Sequence, residues 1–365
     1  MEKRLFTPGP LGVSMTTKEA MLRDVGSRDQ EFISLVKNIR MDLIMIAGVD
    51  ETDFTCIPLQ GSGTFCIEAV LSTFVPREGK VLILENGAYG KRQAAICRVL
   101  GINYQISSFP EDSFIRGEDA KVLLERDGPF SMLSIVHCET SSGVINRIEE
   151  VGDVLKEFPE TAYFVDAMSS FGAVPIDMKL CNMDVLVSSA NKCIEGVPGF
   201  GFAICRRSLV AASKGNARSY CLDLVDQNEG LDKNGQFRFT PPTHAMLAFN
   251  QALTELHAEG GVNARSARYQ SNRAILRQGM QSLGFQEFLS SEHTGYIITS
   301  YYFPKHPKFN FQTFYENLSK LGFVIYPGKV LDADCFRIGN IGNLHARDMQ
   351  ELLTNIETVL SKMCP

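Results

Sequence analysis

No two of the ten cysteines stand as a Cys-x-x-Cys pair, and the six histidines nowhere group at metal-ligand spacing. The thiols (positions 56, 66, 97, 138, 181, 193, 205, 221, 335 and 364) are scattered singly. That argues against a metal site and predicts reduced cytosolic thiols. Basic residues are not in excess: 36 Lys and Arg against 42 Asp and Glu leave a net charge of -6 and a pI near 5.6. A nucleic-acid partner normally requires a basic face, so neither DNA nor RNA is expected. No stretch approaches the roughly 18 apolar residues of a spanning helix, and "MEKRLFTPGPLGVS" has no apolar leader core. The expectation is a soluble, cytoplasmic protein without a membrane partner. No internal repeat or low-complexity segment is visible.

At 365 residues the chain exceeds one compact core, so two domains are expected. Between residues 53 and 205, seven β-rich runs alternate with helical patterns: "DFTCIPLQ", "KVLILEN", "NYQISSF", "FSMLSIVHC", "AYFVDAM", "DVLVSSA" and "GFGFAIC". Such alternation specifies an α/β fold, a mostly parallel sheet with helices on both faces and ligands beyond the carboxyl ends of its strands. A polar stretch from Asp223 to Gln236 follows, then two long helical patterns and the strand-like runs "GYIITSYYF", "FVIYPG" and "CFRIGN". These predict a smaller α+β domain. The expected division is an N-terminal segment 1–14 reaching the cleft, a large domain 15–259 and a small domain 260–365.

The strand ends carry the chemistry. "QGSGTF" follows the first strand and opens a helix, so its N–H groups and the hydroxyls of Ser62 and Thr64 face an anion site. A capped glycine turn would have the same composition. Glu85 ends the next strand where a ribose-binding acid belongs, but Cys66 replaces the third glycine of a dinucleotide fingerprint. Tyr89 is placed either to stack on a planar ring or to pack against its own helix start. Thr140 and Ser141 are short polar side chains at another strand end and mean little alone. Asp166 closes a buried strand, which demands a structural hydrogen-bond role or a cationic partner. Lys192 follows "DVLVSSA" and precedes a glycine-rich loop, placing an ammonium at a strand tip inside a cleft. A phosphate cradle, an aromatic plate, a buried acid and a strand-end lysine together fit pyridoxal 5'-phosphate.

At these residues the chain resembles the fold-type-I, aspartate-aminotransferase-like enzymes, in the branch with alanine–glyoxylate and serine–pyruvate aminotransferases. "TPGP", "GSGT", "NGAYGKR", "ETSSGV", "VDAMSSFG", "SANKCIEGVPGFGF", "FTPPTH" and "FRIGN" stand in the expected order across nearly the whole chain. Leu5 to Phe32 is similar to a group within that branch that takes a phosphonate amine with pyruvate. The resemblance implies a transaminase in which Lys192 carries the cofactor as a Schiff base and Asp166 meets its pyridine nitrogen. Ser62, Gly63 and Thr64 match the phosphate loop, Tyr89 the stacking position, and Thr140 with Ser141 the phenolic-oxygen side. Thr240 matches a residue reaching the phosphate of the other subunit, which implies a homodimer with shared sites. Phe237 lacks the hydroxyl that relatives often carry there, so no role passes to it. Arg337 matches the arginine that receives the substrate carboxylate; from its chemistry alone, a structural salt bridge is the alternative. Three further readings stand: a small-amino-acid aminotransferase, a desulfurase using Cys335, and a non-catalytic cofactor-binding regulator.

Overall fold

The computed structural model describes residues 2–328 and 333–363, so Cys364 lies outside the described residues. Seven strands form the main sheet: β1 (Phe54–Gly61), β2 (Lys80–Glu85), β3 (Asn103–Ser108), β4 (Met132–Val136), β5 (Ala162–Asp166), β6 (Val185–Ser189) and β7 (Gly199–Arg206). Their spatial order is β1-β7-β6-β5-β4-β2-β3. Only β7 runs against its neighbours, pairing antiparallel with both β1 and β6. The other six strands therefore end at one common edge. Runs such as Val81 to Leu84 and Met132 to Val136 are buried throughout, as strands covered on both faces must be.

The covering helices include α1 (Gln30–Ile46), α2 (Gly63–Phe74), α3 (Ala88–Val99), α4 (Gly117–Asp127) and α5 (Ile148–Leu155). In α1 the apolar spacing Phe32, Val36, Ile39, Leu43 makes one stripe, and all four side chains enter the large core. Each such burial contributes about 1.5–3 kcal/mol. The polar stretch at residues 223–236 differs from its sequence reading, because Leu224–Asn234 is a helix. Asp223 caps its start, Gly235 closes it in the left-handed region at φ 74°, and Leu224, Val225 and Leu231 anchor it.

Beyond α6 (Thr243–Glu259) and α7 (Gly261–Ser282) lies a second sheet of β8 (Ile298–Tyr302), β9 (Tyr326–Pro327) and β10 (Cys335–Gly339), antiparallel in the order β8-β10-β9. With α8 (Phe311–Lys320) and α9 (Ala346–Met363) it encloses a second core around Leu276, Phe314, Phe336 and Leu352. Phe6 is fully buried in that core, and Arg4–Leu5 pairs with Phe323–Val324. The first residues of the chain thus pack with its last third. No helix among the described residues is long and apolar enough to cross a membrane.

Candidate active site

The common edge of the six parallel strands gathers the residues singled out above. Asp166 is the last residue of β5, and β5 lies beside β6 with Asp166 opposite Val187. Lys192 follows the end of β6 by three residues. Ser62 to Thr64 follow β1, Tyr89 follows β2, and Thr140 follows β4. Residues 130 apart in sequence, Ser62 and Lys192, are thereby brought to one sheet edge by strand order.

Burial dominates the electrostatics of the acid and the base. It pushes the Asp166 carboxyl up to about 6, while the Met168 N–H and, more weakly, the Lys192 ammonium draw it partly back. The same cause lowers Lys192 below its ordinary value, with Asp166 among the groups opposing the shift. Among the described residues the Asp166 side chain takes one hydrogen bond, from the Met168 N–H at 3.0 Å, and closes no salt bridge. Lys192 Nζ turns elsewhere and donates to the Pro8 carbonyl at 2.7 Å. The two groups act on each other through field and not through contact.

Ser62 is the N-cap of α2 but makes no side-chain cap, so the first N–H groups of that helix have no partner within it. A Cβ at Gly63 would come within 2.1 Å of the Met168 sulfur, so a larger residue there would make the Met168 side chain move. Arg92, one turn along α3 from Tyr89, donates to Thr64 Oγ1 at 3.3 Å and lies 4.7 Å from the Tyr89 ring centre. The cradle thus presents N–H donors, a hydroxyl and a guanidinium to an anion. Met168 and Arg92 were not singled out from sequence, since a methionine and an exposed arginine carry no local signal.

Glu139 was also missed, although a carboxylate inside "VHCET" resembles Asp166 in context. It is fully buried, and burial raises its pKa. One oxygen accepts the Tyr89 N–H at 3.1 Å; the other accepts the Ser141 N–H at 3.1 Å and hydroxyl at 2.6 Å. Ser141 Oγ in turn accepts the Ala88 N–H at 3.3 Å. Ser141 is therefore spent on the start of α3. Glu85 likewise serves locally, accepting the Gly87 N–H at 3.0 Å beside its own strand end.

Arg337, in the middle of β10, is 8 % exposed and pairs with no carboxylate among the described residues. It donates one N–H to the Thr140 carbonyl at 2.7 Å, lies 4.7 Å from the Tyr326 ring centre, and leaves its Nε without a partner. No carboxylate among the described residues forms a structural salt bridge with it, which leaves the guanidinium able to take an external anion. Cys335, two residues earlier, is buried with its thiol pushed up to about 11 by burial. Such a thiol is a poor nucleophile. Thr240 is exposed, next to the half-buried Phe237 and the exposed Phe239. Its carbonyl accepts from Gln60 Nε2 at 3.0 Å, beside the α2 start.

Comparison with known proteins agrees with this geometry. The model of the class-V aminotransferases matches residues 14–314. A 2-aminoethylphosphonate–pyruvate transaminase of Lysinibacillus sphaericus is 46% identical over 357 residues, 98% of this chain and 97% of that protein. One from Pseudomonas fluorescens is 44% identical over 363 residues, 99% and 98% of the two chains. Among solved structures, an alanine–glyoxylate aminotransferase from Nostoc sp. superposes with a TM-score of 0.90 at 24% identity, covering 99% of this chain and 96% of that one. The chain belongs to the class-V aminotransferase family.

Proposed function

We infer that this enzyme moves the amino group of 2-aminoethylphosphonate to pyruvate, giving phosphonoacetaldehyde and L-alanine, a step of phosphonate breakdown. Its cofactor is pyridoxal 5'-phosphate. The carrying observation is identity above 40% over nearly the full length of transaminases of that specificity. The residues present fit the cofactor: a glycine-lined helix start for its phosphate, and a buried carboxylate without an ion pair for its ring nitrogen. When bound, the cofactor supplies an electron sink for the carbon that bears the amino group.

In this reading Lys192 holds the cofactor covalently and, once free, takes a proton from the substrate carbon next to nitrogen. A buried amine with a lowered pKa is suited to that task. Asp166 keeps the ring nitrogen protonated. The N–H groups at Ser62, Gly63 and Thr64 hold the phosphate, and Tyr89 covers a ring face. Thr140 lies at the phenolic-oxygen side, with Ser141 behind it. Arg337 receives the pyruvate carboxylate and, in the other half-reaction, the phosphonate; its unpartnered Nε supports that role.

A homodimer with shared sites completes the reading, Thr240 of the partner subunit reaching the phosphate. The exposed apolar side chains Phe65, Tyr220 and Phe239 around that region support it. The division into residues 1–14, 15–259 and 260–365 draws support from two separate cores, the second of which includes Phe6. Nine unpaired cysteines among the described residues suit a cytoplasmic setting.

The test mixes the protein with 2-aminoethylphosphonate and follows the visible band of lysine-bound cofactor. Loss of the band, its return on adding pyruvate, and formation of alanine are expected; Lys192→Ala abolishes all three. Discharge by alanine or serine alone would assign a small-amino-acid aminotransferase instead.

A further inference from the structure

We propose that the Pro8 carbonyl is a built-in holder for the Lys192 amine, receiving it whenever it is not bonded to cofactor and so positioning the base that moves the substrate proton. The inference rests on the reading of Lys192 given above. Its starting point is the 2.7 Å hydrogen bond from Lys192 Nζ to Pro8 O, between residues 184 apart in sequence. The amine could find many partners at a strand edge rich in carbonyls, yet it reaches a segment from the other end of the chain.

That segment is fastened on both sides of Pro8. Upstream, Phe6 is buried in the second core, its N–H bonds Val324 O at 2.8 Å, and its carbonyl accepts from Gly339 at 3.0 Å. Downstream, Gly12 O accepts from Asn343 at 2.8 Å, and Ser14 bonds Glu255 at 2.8 Å. Between them, Thr7 Oγ1 donates to Pro10 O at 2.5 Å and closes the turn. The carbonyl therefore has a fixed position, as a preorganised acceptor must. Gly9 is shaped to the lysine: its φ is +121°, and a Cβ there would come within 2.8 Å of Lys192 Cδ and 2.9 Å of Nζ. A side chain at position 9 would be strained at that φ and would also crowd the lysine.

A carbonyl oxygen suits both protonation states of the amine. Neutral Lys192 donates one N–H to it and keeps its lone pair free to take a proton; the resulting ammonium donates to the same oxygen more strongly. The other groups that face Nζ are Asp166 from the end of β5, Cys138 beyond β4, Cys193 on the same loop and Arg92 from α3. Asp166 takes the Met168 N–H and makes no hydrogen bond with the amine, the two thiols are buried and hold their protons, and Arg92 is cationic. Pro8 O is the acceptor the amine uses.

The experiment compares the wild type with Gly9→Ala, whose added carbon would come within 2.9 Å of Lys192 Nζ and crowd it from its place, and with Thr7→Val, which removes the Thr7 bond to Pro10 O without adding bulk near Lys192. In cofactor-free protein, Lys192 is acylated by acetic anhydride in competition with a free amine across a pH series, and its peptide is quantified by mass spectrometry. Losing an acceptor that favours the ammonium lowers the midpoint of Lys192 titration by about one pH unit. The 2-aminoethylphosphonate half-reaction slows by about tenfold or more, while cofactor affinity is retained. An unchanged midpoint in folded Gly9→Ala would overturn the proposal; should that variant not fold, an unchanged midpoint and rate in Thr7→Val would do so. If instead the wild type fails to pass the amino group to pyruvate, the functional reading falls, while the labelling still reports on the amine and carbonyl.

Discussion

Asp166 and Arg337 bring opposite charges into the interior, and neither closes an ion pair there among the described residues. Each is costly without a partner of opposite sign. For Asp166 the cost is legible as pH dependence. Its carboxyl titrates near 6 in the folded protein, chiefly through burial, against an ordinary value of 3.8. The folded chain therefore binds more protons than the unfolded one between about pH 4 and 6, so this group's contribution to stability is fully present below that window and lost as pH rises through it. In cofactor-free protein, Asp166→Asn is expected to raise stability above pH 7 by up to about 3 kcal/mol and to change it little below pH 4. Urea unfolding at the two pH values checks this. Arg337→Lys keeps the charge and loses the planar fork, so kcat/KM for pyruvate should fall by about 30-fold or more, through KM above all. Steady-state kinetics with varied pyruvate decide it.

Helix α3 shows how an element can depend on residues outside it. Its N-cap, Gly87, has no side chain to offer, and the freed N–H groups of Gly87, Ala88 and Tyr89 go to Glu85, Ser141 and Glu139. The orientation of the Tyr89 plate thus rests on a carboxylate 50 residues away. Glu139→Ala is expected to lower stability by about 1–3 kcal/mol and to weaken cofactor binding with it. Urea unfolding without cofactor and a cofactor titration separate the two effects. The existence of α3 was legible in "YGKRQAAICRVLG", because a helical pattern that follows a strand and a glycine turn is a local signal. Its capping partners were not, since Glu139 and Ser141 meet it only when β4 is laid beside β2. The helix at Leu224–Asn234 was missed for a related reason: its apolar anchors become visible as a face only once the large core supplies the other side.

At the scale of the whole molecule, the site is built by bringing distant stretches together and, in the proposed dimer, by a second chain. Mixed protomers test the sharing of sites. Lys192→Ala and Thr240→Glu are each expected to be inactive alone, and subunit exchange between them should restore about a quarter of the wild-type sites, because half the dimers are hybrids with one intact site each. If Thr240 served its own subunit, the mixture would stay inactive. The N-terminal strap belongs to this scale too, since Pro8 meets Lys192 only because Phe6 is buried in the core formed by the last third of the chain.

By itself the sequence determined the alternation of strands and helices, the parallel sheet, and which polar residues stand at its carboxyl edge. Those features follow from periodicity and from chain order, which are local. It also identified Lys192, Asp166 and Arg337 as charges in buried surroundings, because long apolar runs flank each of them. Tertiary structure decided what those charges meet: that Lys192 finds Pro8 and not Asp166, that Arg337 bonds the Thr140 carbonyl and no carboxylate among the described residues, and that Glu139 and Ser141 are bound to a helix start. Hydrogen bonds and burial depend on distances in space between residues far apart in sequence, and only the packed chain sets those distances.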